Sequence, residues 1–254
     1  MTRIAAHSTL CLLLAVAPGA IPAGVANAAP VSTPPVFFAM DTGTRDAQHP
    51  GIAEQAQLVA DIGFAGIGWT GFDNPEGVRA ELDTNGIRLL TLYTGLSTDA
   101  SQEAIAAFEK GIATLKGSKT ILWLTFTSPE PISSPAADAD AVAILRRLSD
   151  AARQADVRIA LYPHTGMWLE RVEDAVRIAR KADRENVGAT FNLCHWLRVD
   201  GRQDLLPVLL RYAGSTLFVV TINGADADGS NWNTLIQTLD QGNFPVARLL
   251  ATLR

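Results

Sequence analysis

The sequence contains little cysteine, little charge and no hydrophobic run of membrane-spanning length. Its two cysteines are Cys11 and Cys194, and because Cys11 lies in a segment expected to be removed, no internal disulfide is expected. The apolar run at 10–16 is too short to cross a bilayer as a stable helix. The net charge of −5 makes nucleic acid a poor partner, because an acidic surface repels phosphate groups.

Two common functional motifs are missing as well. No Gly-x-Gly-x-x-Gly follows the first strand-like run, where Asp41-Thr-Gly-Thr-Arg45 stands instead, and this disfavours a dinucleotide-binding open sheet. No Gly-x-Ser-x-Gly occurs, so serine hydrolysis is unsupported. Hydrophobic residues nevertheless make up 48% of the chain, which is enough to bury a sizeable core and argues against disorder.

The N-terminus has the pattern of a secretory signal peptide. Arg3 precedes the apolar run, and Ala26-Asn27-Ala28 fits a small-x-small cleavage site, so cleavage is expected after Ala28. The protein is therefore predicted to be exported, periplasmic or secreted, with no membrane attachment after cleavage. The alternatives are an uncleaved anchor and a wrongly chosen start codon. The predicted divisions are a signal peptide (1–28), a Pro-rich lead-in (29–35) and a single domain (36–254).

Strand-like apolar runs alternate with amphipathic helical stretches after the lead-in. The runs are apolar throughout, which is typical of parallel strands covered on both faces. The predicted strands are 36–40, 63–69, 87–93, 120–126, 157–162, 187–191 and 217–222. The predicted helices are 51–62, 99–115, 137–155, 172–182, 232–239 and 246–253.

This alternation predicts an α/β fold in which strand–helix–strand units curl into a TIM (β/α)8-like barrel. Seven strands are visible and the eighth is missing, since helical patterns occupy the chain after the seventh strand. Such an incomplete or open barrel leaves unpaired edges on the first and seventh strands. Three explanations remain open: a truncated chain, a tolerated gap, or another chain over the open edge, for example in a homo-oligomer.

Polar and aromatic residues gather at the carboxyl ends of the predicted strands, which face one common mouth in a parallel barrel. His164 and His195 are candidate general acid/base groups there, because imidazole titrates near neutral pH. The other residues at these ends are Asp41, Trp69, Thr70, Tyr93, Thr125, Thr127, Tyr162, Asn192, Asn223 and Asp226.

The aromatic residues near the mouth suit a carbohydrate ligand. Flat rings pack on the C–H face of a sugar, while Asn and Thr groups bind its hydroxyls. Trp123 lies inside a strand and is expected to be core instead. The rings considered for sugar contact are Trp69, Tyr93, Tyr162, Trp168 and Trp196.

Three segments resemble the xylose isomerase-like TIM-barrel superfamily, which contains sugar phosphate isomerases and epimerases and repair endonucleases of the endonuclease IV type. The segments are Leu161-Tyr-Pro-His-Thr-Gly166, Asn186-Val-Gly-Ala-Thr-Phe-Asn-Leu-Cys-His195 and Val220-Thr-Ile-Asn-Gly-Ala-Asp226. The resemblance runs from about residue 36 to the chain end and is most specific over 157–226. It implies the barrel fold and a sugar-like ligand.

The same resemblance implies a divalent metal, but the ligand set is incomplete. Members of the superfamily place Glu-x-His after the fifth strand and Asp-x-x-His after the sixth. Here His164 and His195 match, whereas Tyr162 and Asn192 stand in place of the carboxylates. The eighth-strand Glu has no counterpart. The cofactor is therefore unknown, and no residue is assigned as a metal ligand.

We therefore expect an exported isomerase, epimerase or lyase that moves a proton next to the carbonyl of a sugar or keto-sugar. The candidate catalytic residues are His164, His195 and Asp226. The candidate substrate-binding residues are Asp41, Trp69, Tyr93, Tyr162, Asn192, Trp196 and Asn223. The alternative is a non-catalytic carbohydrate-binding barrel, a degenerate enzyme without the superfamily's metal acids and last strand.

Overall fold

The computed structural model of the protein describes residues 36–253, so the predicted signal peptide and lead-in lie outside the described residues. Its centre is a parallel sheet whose seven strands follow one another in chain order. The strands are β1 (Ala39–Met40), β2 (Gly66–Thr70), β3 (Arg88–Ser97), β4 (Ile121–Thr127), β5 (Arg158–Leu161), β6 (Val187–Asn192) and β7 (Leu217–Thr221). The seven predicted strands are all confirmed.

Ten helices are described around this sheet. They are α1 (Asp41–Thr44), α2 (Ile52–Ile62), α3 (Pro75–Thr84), α4 (Gln102–Thr114), α5 (Asp138–Gln154), α6 (Val172–Ala182), α7 (Leu193–Val199), α8 (Leu206–Ala213), α9 (Trp232–Leu235) and α10 (Val246–Thr252). Several begin at a side-chain cap: Asn74 accepts a hydrogen bond from the Gly77 backbone N–H at α3, and Ser101 accepts one from Ala104 at α4.

The two faces of each strand belong to two different cores. In β4, Leu122, Leu124 and Phe126 pack into the large core between the sheet and the helices. Trp123 points to the other face, where it forms an inner cluster with Ala160 and Val219. This alternation follows from the two-residue period of a strand.

The inner cluster shows that the sheet is curled. Phe38 and Met40 from the start of the sheet pack against the same cluster as Val219 from β7. The Phe38 and Trp123 rings lie 6.0 Å apart between centroids. Side chains of the first and last strands can share one cluster only if the sheet bends round on itself, as the predicted barrel requires.

The barrel is open along one side. Within residues 36–253, β1 pairs with β2 alone and β7 pairs with β6 alone, so no eighth strand joins them. After β7 the chain forms a loop closed by an antiparallel bridge between Gly224 and Gln237, followed by α10. In the same described range, no helix is both long and apolar enough to cross a membrane.

The structure adds elements that the periodicity did not reveal. The helices α1, α3, α7 and α8 were absent from the prediction, and the predicted helix at 232–239 is reduced to the single turn of α9. Strand β3 also continues to Ser97, because Leu96 and Ser97 pair with Phe126 and Thr127 of β4. The missed α7 matters for the site, since His195 lies in its first turn.

Candidate functional site

Two histidines and two tyrosines meet at the carboxyl end of the sheet. The rings of His164 and His195, called here the imidazole pair, lie 4.1 Å apart between centroids. The Tyr162 ring is 5.9 Å from His195, and the Tyr93 ring is 5.0 Å from Tyr162 and 6.3 Å from His164. The structure thus brings together four of the predicted site residues, one from β3 and three from the segments that follow β5 and β6.

Local backbone geometry places each imidazole. His164 follows β5 in a short loop, in which its N–H donates to the Leu169 carbonyl and its carbonyl accepts from the Met167 N–H. No loop separates β6 from α7, because the helix begins at the residue after Asn192, and His195 is the third residue of that helix. The Asn192 side-chain oxygen accepts a hydrogen bond from the His195 backbone N–H at 3.2 Å and so caps the helix.

Thr165 lies between the two imidazoles and bonds to both. Its backbone N–H and its hydroxyl Oγ1 lie 3.3 Å and 3.0 Å from His195 Nδ1. Its carbonyl oxygen accepts a hydrogen bond from His164 Nδ1 at 2.9 Å. The predicted set did not include Thr165, because its sequence neighbours gave no sign that its backbone would face His195.

Burial controls the electrostatics of the site. Desolvation, together with a smaller effect of the neighbouring His164, lowers the pKa of His195 to about 3. Desolvation raises the pKa of the Tyr162 hydroxyl and raises that of the Cys194 thiol to about 11. His195 is therefore neutral and Cys194 is a protonated thiol at physiological pH, so the cysteine offers no thiolate nucleophile.

The Asn192 side chain forms all of its described hydrogen bonds with other groups of the protein. Besides capping α7, its oxygen accepts from the Cys194 thiol at 3.1 Å, and its amide nitrogen donates to the Tyr162 hydroxyl. Asn192 is buried. Asn192 lies beside the site, as predicted. Its amide groups are already hydrogen-bonded to the protein, however, so it supports the neighbouring residues rather than binding sugar hydroxyls.

Asp41 forms a second cluster at the ends of β1 and β2. Its carboxylate is fully buried, accepts a hydrogen bond from Thr70 Oγ1 at 2.8 Å and pairs with Arg45 at 2.7 Å. The Arg45 guanidinium also lies 5.4 Å from the Trp69 ring centroid. Asp41 and Trp69 are thus at the rim of the barrel as predicted, but both are engaged by Arg45, which the prediction did not include.

Three of the predicted site residues make their contacts with other parts of the protein and not with the imidazole pair. Trp196 packs in the large core, with its ring 5.6 Å from Phe191, and its burial gives no support for a sugar contact. The Asn223 amide donates to the Leu235 carbonyl at 2.7 Å and braces the loop after β7. Within residues 36–253 no hydrogen bond joins the Asp226 carboxylate to either imidazole.

Trp232 is a mouth residue that the sequence did not reveal. Its ring lies 5.5 Å from the His195 ring in an edge-to-face arrangement, and the residue is 42% exposed. Arg198 lies 6.0 Å from the Trp232 centroid on the α7 side. The helical pattern at 232–239 concealed this role, although a tryptophan in the segment that follows the seventh strand was an available signal.

The residues at the mouth do not fit a divalent metal. In the described part of the chain, no three side chains of His, Cys, Asp or Glu lie close enough to hold an ion together. Both Nδ1 atoms of the imidazole pair are bonded to Thr165, and the neighbouring Tyr162 and Asn192 supply no carboxylate. Hard cations require such oxygen ligands, and two imidazoles alone do not complete a zinc site, so these residues do not fit a metal ion.

Comparisons with known proteins agree with this architecture. A family model described as xylose isomerase-like TIM barrel matches residues 56–254. Among curated proteins, no sequence matches the chain. The three solved structures described next are each below 20% identity to this chain, so they show the fold alone.

Three of these structures illustrate the similarity. The apo form of 3-keto-D-glucoside 4-epimerase, YcjR, from E. coli is 18% identical with a TM-score of 0.63, covering 87% of this chain and 88% of that chain. The IOLI protein with a binding zinc atom is 17% identical with a TM-score of 0.68, covering 86% and 84%.

The third is a xylose isomerase-like TIM barrel/4-hydroxyphenylpyruvate dioxygenase fusion protein, 16% identical with a TM-score of 0.66. The match covers 86% of this chain and 37% of the fusion protein, so the chain spans little more than a third of that structure.

Proposed function

The chain belongs to the xylose isomerase-like TIM barrel family, and from this premise we propose that it transfers a proton at a carbon next to the carbonyl of a sugar or keto-sugar. The reaction is an isomerisation, epimerisation or elimination. The observation that carries the proposal is the imidazole pair, with ring centroids 4.1 Å apart at the carboxyl end of the sheet. In parallel barrels the chemistry takes place at this end.

The imidazole pair suits this chemistry because it supplies two proton-transfer groups at one place. One ring removes the proton from carbon, and the electron pair of the broken C–H bond moves to the carbonyl oxygen as an enolate forms. The other ring stabilises that oxygen by a hydrogen bond. Protonation of the same carbon on its opposite face gives the epimer, and protonation of the neighbouring carbon gives the isomer.

The aromatic residues suit a sugar substrate. Tyr93, Tyr162 and Trp232 surround the imidazole pair, and Trp232 keeps 42% of its surface exposed. A sugar ring placed over the imidazoles would find apolar faces for its C–H bonds. The epimerase YcjR acts on a 3-keto-D-glucoside, so keto-sugars belong in any substrate panel.

The test is proton exchange at carbon. The protein is incubated in D₂O with D-glucose, D-fructose, D-xylose and a 3-keto-D-glucoside, and deuterium incorporation is followed by NMR. We expect wild type to exchange at least one sugar, and His164→Gln and His195→Gln to slow this exchange by at least about 100-fold. His49→Gln is the matched control, because the His49 ring bonds to Asp46 and, among the described residues, no hydrogen bond joins it to the imidazole pair. Unchanged exchange in both mouth variants would overturn the proposal.

A non-catalytic carbohydrate-binding barrel is the second candidate. It is favoured by the chemistry of the strand ends, where Tyr162 and Asn192 bond to each other and supply no carboxylate. Titration calorimetry with the same sugars separates the two functions. Sugar binding in wild type with no deuterium incorporation at any carbon indicates the binding protein, and exchange indicates the enzyme.

We also propose that the mature protein is exported and that a second copy covers the open side of the barrel. The first proposal rests on the sequence of residues 1–28. The second rests on the outer edges of β1 and β7, which pair with no other strand within residues 36–253. N-terminal sequencing of the protein from its native host tests the cleavage after Ala28. Light scattering of the purified protein tests the oligomer, and a monomer at all concentrations contradicts it.

A further inference from the structure

Thr165 determines which nitrogen of His164 carries the proton. The His164 Nδ1 atom lies 2.9 Å from the Thr165 carbonyl oxygen. A carbonyl oxygen accepts hydrogen bonds and cannot donate them, so Nδ1 of His164 must carry a hydrogen. In the neutral ring, the other nitrogen, Nε2, is then an unprotonated acceptor.

The same residue imposes the opposite tautomer on His195. The Thr165 backbone N–H lies 3.3 Å from His195 Nδ1, and a backbone N–H donates and cannot accept. Nδ1 of His195 therefore carries no hydrogen. The Thr165 hydroxyl, 3.0 Å from the same nitrogen, donates its hydrogen there as well. Because burial keeps this ring neutral, its single proton lies on Nε2.

The loop that carries Thr165 is held in place by its neighbours. The Gly166 N–H donates to the Glu170 carboxylate at 2.9 Å, and the His164 N–H donates to the Leu169 carbonyl at 2.9 Å. Gly166 has a positive φ of 81°, which allows the chain to turn back immediately after Thr165. These bonds fix the backbone groups that face the two imidazoles.

The second nitrogen of each ring is available to a ligand. Among the described residues, Nε2 of His164 and Nε2 of His195 make no hydrogen bond with the protein, and neither is a fully buried unpartnered atom. The imidazole pair therefore presents one hydrogen-bond acceptor, Nε2 of His164, and one hydrogen-bond donor, Nε2–H of His195, close to each other.

We propose that Thr165 is a positioning residue that holds the imidazole pair in opposite tautomers, with His164 Nε2 as the proton acceptor and His195 Nε2–H as the donor. The proposal rests on the proposed function and specifies which histidine accepts the proton and which donates a hydrogen bond. The substrate C–H bond breaks and its proton goes to His164 Nε2. The electron pair moves to the carbonyl oxygen, which accepts a hydrogen bond from His195. In an isomerisation, His164 then delivers the proton to the former carbonyl carbon, while the hydroxyl proton on the first carbon passes to the enolate oxygen.

Nitrogen NMR tests the tautomers without any substrate. In ¹⁵N-labelled full-length mature protein, two-bond ¹H–¹⁵N spectra distinguish a ring protonated at Nδ1 from one protonated at Nε2. We expect wild type to show His164 protonated at Nδ1 and His195 protonated at Nε2. His164→Gln and His195→Gln assign the two sets of signals by their loss.

Thr165→Val and Thr165→Ser test the role of the hydroxyl. Valine keeps the shape of threonine but removes the hydroxyl, so His195 Nδ1 retains only the longer hydrogen bond from the backbone N–H. The tautomer ratio of His195 should then shift about fivefold toward Nδ1–H, because one ordinary hydrogen bond contributes about 1 kcal/mol. Serine should restore the wild-type ratio. His164 should not change in either variant, because its partner is a backbone carbonyl.

The outcomes separate the positioning role from the proposed function. In the deuterium exchange assay, the kcat of Thr165→Val should fall in proportion to the Nε2–H population of His195 that NMR measures, with little change in KM, and Thr165→Ser should restore it. His195 protonated at Nδ1 in wild type, or an unchanged His195 ratio in Thr165→Val, would overturn the positioning role. The expected tautomers without sugar exchange in wild type would overturn the proposed function and leave the tautomer assignment intact.

Discussion

The side-chain amide of Asn192 donates a hydrogen bond to the hydroxyl of Tyr162 and so joins the end of β6 to the end of β5. The oxygen of the same amide accepts from the His195 backbone N–H and from the Cys194 thiol. A single buried side chain therefore supports a tyrosine of the mouth and the start of the helix that carries an imidazole. Its loss should affect both stability and the site.

Asn192→Ala should lower the free energy of unfolding by about 2 to 3 kcal/mol. The variant removes the N-cap of α7, worth about 1 kcal/mol, and leaves the buried Tyr162 hydroxyl without its donor. Urea unfolding measures the loss. Asn74→Ala is the matched control, because Asn74 caps α3 at an exposed position and should cost only about 1 kcal/mol. Equal losses in the two variants would show that the bond to Tyr162 adds nothing.

The sheet was predictable because its physical signal is simple. Strands covered on both faces must be apolar along their whole length, and all seven runs became strands. The short helices were harder. The helix α7 begins directly after β6 with no intervening loop, and its first residues, Leu193 and Cys194, continue the apolar run of the strand. The signal for α3 was present as Asn74-Pro75, a cap followed by proline, and the prediction missed it.

The site was predictable to the extent that strand ends identify it. His164, His195, Tyr93 and Tyr162 meet at the mouth, since each ends or follows a parallel strand. Trp196 also follows a strand, but one further residue along the first turn of α7 rotates its side chain into the core. Thr165 acts through its backbone as well as its hydroxyl, and sequence alone does not reveal where a backbone carbonyl faces.

His195 should make the protein less stable in acid. Its pKa in the folded protein lies at about 3, below the ordinary value of 6.5, because burial disfavours the charged ring. The unfolded chain binds this proton once the pH falls below about 6.5, whereas the folded chain does not until about pH 3. The stability is therefore complete above pH 6.5 and is lost as the pH falls toward 3, by about 2 kcal/mol between pH 7 and pH 4.5.

Thermal and urea unfolding between pH 7 and pH 4.5 measure this loss. His195→Gln removes the titrating group, so its stability should fall by about 2 kcal/mol less than that of wild type over this range. His49→Gln is the control, because it removes a histidine that bonds to Asp46 in the loop between α1 and α2. Equal acid dependence in wild type and His195→Gln would contradict the burial argument.

Two buried tryptophans differ in the partner of the indole N–H. Trp123 is fully buried in the inner cluster, and its Nε1 has no hydrogen-bond partner among the described residues. Trp168 is also buried, and its Nε1 donates to the Ser134 carbonyl at 2.9 Å. Replacing each by phenylalanine removes the same atoms. Trp168→Phe should therefore cost about 1 kcal/mol more than Trp123→Phe in urea unfolding, because it also leaves a carbonyl unpaired. Equal costs would indicate that the Trp123 N–H bonds to an internal water.

Trp232 should contribute to sugar binding without contributing to folding. Its ring lies 5.5 Å from His195, and with 42% of its surface exposed it can present an apolar face to a sugar placed over the imidazole pair. Trp232→Ala should weaken the affinity for the sugar that wild type binds best by about tenfold in titration calorimetry, since an aromatic contact contributes about 1 kcal/mol or more. Tyr212→Ala is the matched control, because Tyr212 is equally exposed, at 42%, and lies on α8 against Arg180. Both variants should unfold at the same urea concentration as wild type to within the effect of a surface substitution. A loss of affinity in both variants, or in neither, would show that the exposed ring beside His195 is not part of the sugar-binding surface.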